Sequence, residues 1–182
     1  MRKLFHHRDS LPARVHQLRD LLRASSWGGA DLGSGDDPTT WGDYGRACAV
    51  DDYHGLVAFG PITDEAHALV LGDEPLASAY LAEHRCIVRW WCADTEHQLL
   101  AMVDDQLPHA RWLGVMDWHV PPGGLVTIDA AYSVADYGPD GCIEGDFVRI
   151  DWPPGPCKVD TARLTNTEGS AVAIVHRLLP QR

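Results

Sequence analysis

The order of short apolar segments restricts the fold of this chain more than any other feature of its sequence. Runs of β-branched and aromatic residues recur along the chain, with turn-forming Pro, Gly and Asp between them. Two corners read Pro-Pro-Gly, in which proline fixes φ and glycine accepts a positive φ. We predict strands at residues 46–50, 55–59, 67–71, 86–93, 118–120, 125–132, 147–152, 157–164 and 171–179.

Two helices are predicted among these strands. Residues 10–26 repeat an apolar residue every three or four positions, which is typical of an amphipathic helix. Thr95 and Gln98 have capping-box spacing at the start of a second apolar repeat, which Pro108 ends. Residues 75–81 are predicted to form a helical turn. Since strands and helices do not alternate as βαβ units, the predicted fold class is α+β. We expect a single domain in which largely antiparallel sheets are flanked by about two helices. The C-terminal third is expected to be mostly β.

The predicted organisation has three parts. Residues 1–26 form a basic amphipathic extension, residues 27–45 a Gly- and Asp-rich loop, and residues 46–182 the α+β domain. The chain contains no apolar run of about 18 residues, and its basic start lacks the apolar run of a signal peptide. We therefore expect a cytoplasmic protein that does not bind a membrane.

Charge is unevenly distributed along the chain, whose net charge is -11. Residues 1–30 contain six basic and two acidic residues, a net of +4, whereas residues 31–182 contain nine basic and 24 acidic residues, a net of −15. An acidic body repels a phosphate backbone, so a nucleic-acid partner is not expected, and it attracts a basic protein. The simpler explanation, that acidic charge only keeps the protein in solution, stays open.

Residues that carry chemistry do not form a recognisable site. The ten histidines and five cysteines lack zinc-ligand spacing, so neither a metal nor a cofactor is expected. The odd number of cysteines and the lack of C-x-x-C spacing favour reduced, partly buried thiols over disulfides. No nucleophile or phosphate-loop motif is present, and adjacent acidic residues stand where turns and caps use Asp, so no catalytic residue is assigned.

Two neighbouring tryptophans are the best candidates for a binding anchor. Trp90 and Trp91 must point to opposite faces of the predicted strand 86–93. Trp91, with Arg89 on its face, is either an exposed anchor of the kind enriched at interfaces or a core residue beneath a helix. Both interpretations stay open.

Two segments carry a family resemblance. Residues 43–56 read DYGRACAVDDYHGL and residues 68–76 read ALVLGDEPL, with IVRW following at 87–90. Together they resemble the immunity protein 21 family of bacterial polymorphic toxin systems, over about residues 41–179. The resemblance implies a protein without catalytic residues that binds a cognate toxin protein, a nuclease being one candidate, and blocks its active site or its folding.

The residues expected to contact that partner are exposed acidic turns and one tryptophan, namely Asp51, Asp52, Asp73, Glu74 and Trp91. Two other functions stay open. One is a small enzyme or ligand-binding protein of a biosynthetic cluster, which requires a deep pocket with converging polar groups. The other is a protein that self-associates through the N-terminal helix, and the chain is expected to be a monomer or a homodimer.

Overall fold

The computed structural model describes residues 26–31, 37, 40–61, 66–72, 76–122, 124–133, 136 and 148–181. These residues form two compact units, each built from two stretches of the chain. The first unit contains the described residues within 76–122 and 153–181, and the second contains those within 26–72 and 124–152. The predicted helix at 10–26 lies outside the described residues apart from its last position.

A five-stranded antiparallel sheet forms the first unit. Its strands lie in the order β3 (Ser78–Leu81), β4 (Cys86–Cys92), β9 (Val172–Pro180), β8 (Gly155–Thr165) and β5 (Val115–Val120). The long β8–β9 hairpin is central, and its register pairs Cys157 with Pro180 and Thr165 with Val172.

One face of this sheet packs against a helix, Glu96–Gln106, that a 3-10 turn at Leu107–His109 extends. The Thr95 hydroxyl oxygen accepts a hydrogen bond from the Gln98 backbone N–H at 3.1 Å, which satisfies one of the free donors of the first turn. The core between helix and sheet contains Leu99, Met102 and Val103 of the helix with Ala171, which precedes β9, and Cys86, Val88, Ala162, Leu164, Ala173 and Val175 of the sheet. The predicted second helix and its capping residue are therefore confirmed.

The second unit combines a short helix with two two-stranded sheets. Its helix is Gly42–Cys48, β1 is Gly55–Phe59, β2 is Ala66–Val70, β6 is Leu125–Thr127 and β7 is Val148–Ile150. Strands β1 and β2 pair antiparallel, as do β6 and β7. In chain order the helix Gly42–Cys48 is α1 and the helix Glu96–Gln106 is α2.

Trp27 is the centre of the second unit's core. Its side chain is buried with Ala47, Val57 and Phe59, and its ring meets the Phe59 ring edge-on at 5.4 Å between centroids. The Trp27 indole N–H donates to the Ala130 carbonyl oxygen at 3.1 Å. An indole buried with its one donor satisfied contributes a large apolar area without leaving a polar group unpaired.

Three local predictions are wrong. The segment 46–50 was predicted as a strand, but its residues 46–48 end helix α1, and the predicted loop 27–45 contains the start of that helix at Gly42. The i,i+3 pair of Asp43 and Arg46 supports the helix locally. The predicted helical turn at 75–81 contains strand β3, because Ser78–Leu81 pairs along β4.

Most of the other predicted elements are confirmed, with shifted ends. The strands predicted at 55–59, 67–71, 86–93, 157–164 and 171–179 are present within about two residues. The strand predicted at 125–132 is shorter, because Tyr132 belongs to a turn in which its N–H donates to the Asp129 carbonyl. The α+β class with antiparallel sheets is confirmed, while the division at residues 26 and 45 stays a prediction.

Candidate partner-binding surfaces

Asp51 and Asp52 lie in the second unit, in the exposed turn between α1 and β1. The Asp52 carboxylate accepts a hydrogen bond from the Tyr53 backbone N–H at 2.6 Å, which is the turn-forming role that aspartate commonly has. Both side chains are exposed and therefore accessible to a partner. The other two predicted acidic contacts, Asp73 and Glu74, lie outside the described residues.

Trp91 lies in the first unit, at an irregularity of β4 between Trp90 and Cys92. Its side chain is 45% exposed, whereas Trp90 packs against the core beneath α2. The two tryptophans thus separate as their alternation requires, and Trp91 is the exposed one. Arg89, which we expected to stand beside it, is buried at 5% exposure.

Arg163 of β8 is the cation next to Trp91. Its guanidinium carbon lies 5.6 Å from the centroid of the indole ring, within the range of a cation–π interaction. Trp and Arg are the residue types most enriched where binding energy concentrates. The sequence did not reveal Arg163, since it lies 72 positions further along the chain and reaches Trp91 only through the pairing of β4, β9 and β8.

Acidic charge concentrates in the second unit. Its described residues include eight aspartates and two arginines, a net of −6, while those of the first unit include eight acidic and six basic residues, a net of −2. Only Asp43 among these eight aspartates is buried. Six are exposed: Asp31, Asp37, Asp51, Asp52, Asp136 and Asp151. The second unit therefore presents most of the negative potential of the described chain.

The segment at 43–48 builds the interior of the second unit. The Asp43 carboxylate accepts a hydrogen bond from the Gly28 backbone N–H at 2.7 Å and pairs with the Arg46 guanidinium. The Tyr44 backbone N–H donates to the Gly29 carbonyl at 3.1 Å, and a hydrogen bond with Cys48 raises the pKa of the Tyr44 hydroxyl. These contacts hold the chain around Trp27 against α1, so the most distinctive motif of the sequence has a structural role.

A polar cluster lies at one end of the helix-covered face of the first unit. Arg177 of β9 donates to the Asp160 carboxylate at 2.5 Å, and the Trp112 ring stacks on its guanidinium with the carbon 3.8 Å from the ring centroid. The neighbouring Cys86 is fully buried, and burial raises the pKa of its thiol to about 11 although Arg177 opposes the shift. That thiol is neutral and unreactive at ordinary pH.

The described residues contain no group of three or more His, Cys, Asp or Glu that can hold a metal ion. The described cysteines are free thiols, with Cys86 and Cys157 buried and Cys48 and Cys92 exposed. His176 is fully buried, with its Nδ1 atom 2.8 Å from the Thr161 hydroxyl. Within the described part of the chain, no helix is both long and apolar enough to cross a membrane.

Comparison with known proteins gives one match. A family model described as Immunity protein 21 matches residues 21–170, which include most of both units. Neither a curated protein nor a solved structure matches the chain.

Proposed function

The chain belongs to the immunity protein 21 family, and on that basis we propose that it binds a cognate bacterial toxin and neutralises it by direct contact. The family match over residues 21–170 is the observation that carries the proposal, because it spans most of the 182 residues. The protein then acts in the cytoplasm of the producing cell, as a binding protein and not as an enzyme.

The charge of the second unit supports a basic toxin. Six exposed aspartates in its described part attract Lys- and Arg-rich surfaces and accelerate encounter with them. A nuclease is a toxin of this kind, since it needs cationic groups to hold the phosphate backbone of its substrate. An immunity protein that covers those groups blocks substrate binding without any chemistry of its own.

The proposed contacts are of two kinds. Asp51 and Asp52 supply exposed charge in the second unit, with Asp73 and Glu74 following them along the chain. Trp91, with Arg163 beside it, supplies a large amphipathic anchor in the first unit. Charged groups at an interface rim chiefly set the association rate, while buried aromatic anchors chiefly set the dissociation rate.

A toxicity rescue tests the proposal. The toxin encoded by the adjacent gene is expressed in a susceptible host with and without this chain, and the complex is sought by co-purification. We expect rescue and a 1:1 complex. An active toxin that is neither rescued nor bound contradicts the proposal.

The contact residues are tested in the same assay by comparing two acidic pairs. The double variant Asp51→Asn/Asp52→Asn removes the proposed contact charges. The control Asp104→Asn/Asp105→Asn removes two exposed aspartates that are adjacent to each other on α2. We expect the first pair to slow association severalfold, most clearly at low salt, and the second to leave it nearly unchanged. Equal effects of both pairs refute the assignment of the second-unit turn.

Trp91→Ala tests the proposed anchor. Its effect should be on the dissociation rate, which we expect to rise by roughly tenfold or more, since truncation of a central aromatic costs about 2 kcal/mol or more. The side chain is 45% exposed in the chain alone, so folding should be little affected. A Trp91→Ala protein that binds the toxin with unchanged kinetics removes Trp91 from the interface.

A further inference from the structure

Strand β5 is an edge strand of the five-stranded sheet among the described strands. It pairs with β8 along one side, from Val115 opposite Asp160 to Val120 opposite Gly155. Its alternate residues Val115, Asp117 and His119 are exposed, with Val115 at 61%. Leu113, just before the strand, is 52% exposed. These are the two most exposed large apolar side chains of the described chain, and exposed apolar groups along an edge strand favour pairing with a further strand.

From the order of side chains along this edge we infer that β5 pairs antiparallel with β5 of a second copy, which forms a homodimer with a continuous sheet. The inference goes beyond toxin binding and does not depend on it. Asp117 and His119 are both exposed, one on each side of Trp118. This arrangement is complementary to that of the same strand in a second copy, which is therefore the inferred partner.

Backbone geometry restricts how two such strands can pair. Successive residues of a strand direct their backbone N–H and C=O groups to opposite sides, so opposed residues must both face the partner or both face away. The twofold axis must therefore pass through a residue position. An axis at Asp117 opposes two carboxylates, which is unfavourable. An axis at Trp118 places Asp117 of each copy opposite His119 of the other and creates two complementary pairs.

The same register brings exposed apolar groups together. Val115 of each copy lies opposite Pro121 of the other, and both are exposed in the single chain. The strands exchange about six backbone hydrogen bonds. A pair of six-residue strands buries less than the roughly 800 Å² per partner of a standard stable interface, so the dimer is expected to be weak and concentration-dependent.

Sedimentation velocity of the full chain over a wide concentration range tests the inference. We expect reversible conversion from monomer to dimer as concentration rises. Asp117→His and His119→Asp each replace the complementary pairs with like ones, and each should weaken the dimer by roughly tenfold or more. Glu168→His and His97→Asp make similar charge changes at exposed positions away from β5 and should leave the dimer unchanged.

Mixing the two edge variants gives the sharper readout. The Asp117→His chain carries two histidines and the His119→Asp chain two aspartates, so a mixed dimer regains both complementary pairs. We expect the mixture to dimerise as the wild type does, and the doubly exchanged chain to recover a homodimer. Circular dichroism of each variant establishes that it is folded.

Three results overturn the inference. The first is a wild-type chain that stays monomeric at every concentration. The second is a dimer that the single edge variants leave intact. The third is a failure of the mixed variants to associate although each is folded. A monomeric wild type whose toxin binding is weakened by Asp117→His assigns the edge to a strand of the toxin instead.

Discussion

Gly29 is the position where a single added methyl group should do most damage to the second unit. Its φ is +67°, a left-handed conformation that costs a residue with a side chain about 1–2 kcal/mol. A Cβ there would stand 2.5 Å from the Ser133 nitrogen, 2.6 Å from the Tyr132 carbonyl carbon and 2.9 Å from the Ala131 oxygen. All three are backbone atoms, which cannot rotate away as a side chain can.

The expected loss combines the two effects. Relief of the overlap requires the chain at 131–133 to move, and such overpacking costs typically about 1–3 kcal/mol. Movement there also strains the hydrogen bond from the Ala30 N–H to the Ala131 carbonyl at 3.0 Å. We therefore expect Gly29→Ala to lower the free energy of unfolding by about 2–5 kcal/mol, a large share of the roughly 5–15 kcal/mol of an ordinary domain.

Two matched variants separate the contributions. Gly28→Ala adds a methyl group one residue earlier, where φ is not positive and the nearest atom, Asp43 Oδ2, is at 3.5 Å. It should change stability by less than about 1 kcal/mol. Gly169→Ala has φ +73° with nothing within 4 Å, so it reports the conformational cost alone, about 1–2 kcal/mol. Urea denaturation followed by tryptophan fluorescence measures all three. A Gly29→Ala loss no larger than that of Gly169→Ala refutes the packing argument.

Three further substitutions test interactions of the first unit. Thr95→Ala removes the hydroxyl that caps α2 and should cost about 1 kcal/mol in urea denaturation, with Thr95→Ser retaining most of it. Asp160→Ala leaves the Arg177 guanidinium without its carboxylate and should cost about 3 kcal/mol, whereas a loss below about 1 kcal/mol makes the pair dispensable. Burial raises the pKa of the Cys86 thiol to about 11, above its ordinary value of 9.0, so the folded state keeps this proton to a higher pH than the unfolded state does. The resulting contribution to the free energy of unfolding is complete below pH 9 and falls by roughly 2 kcal/mol as pH rises toward 11. The Cys86→Ala protein should lack this decline.

Local signals in the sequence identified the elements that local chemistry specifies. The Thr95–Gln98 spacing located the start of α2, and the Gln98 side chain accepts from the Asp94 N–H at 2.9 Å, one residue before the cap. The alternation in β4 separated Trp90 from Trp91, because pleating alone directs neighbours to opposite faces. The predicted helical turn at 75–81 was wrong because the four residues Ser78–Leu81 pair with β4 and form strand β3, a long-range contact that the local sequence does not show.

The candidate site depended more on distant contacts. Asp51 and Asp52 were predicted as exposed turn residues and are exposed, since charged side chains in a short turn have little to bury against. The environment of Trp91 was not predictable, because Arg163 reaches it across three strands and Arg89 is buried. The role of Asp43 was likewise hidden, because the Gly28 N–H that it binds lies 15 residues away in a loop.

The order in which the chain leaves the ribosome has a consequence for how this protein can mature. Trp27 is fixed by the Ala130 carbonyl, 103 residues later, and both units close only with segments that follow residue 123. Closing a loop of that length costs on the order of 4 kcal/mol of entropy before any packing repays it. Neither unit can therefore complete its fold during synthesis of the first two thirds of the chain. Under the proposed function, the first unit becomes competent to bind a toxin only after strand β9 has emerged from the ribosome.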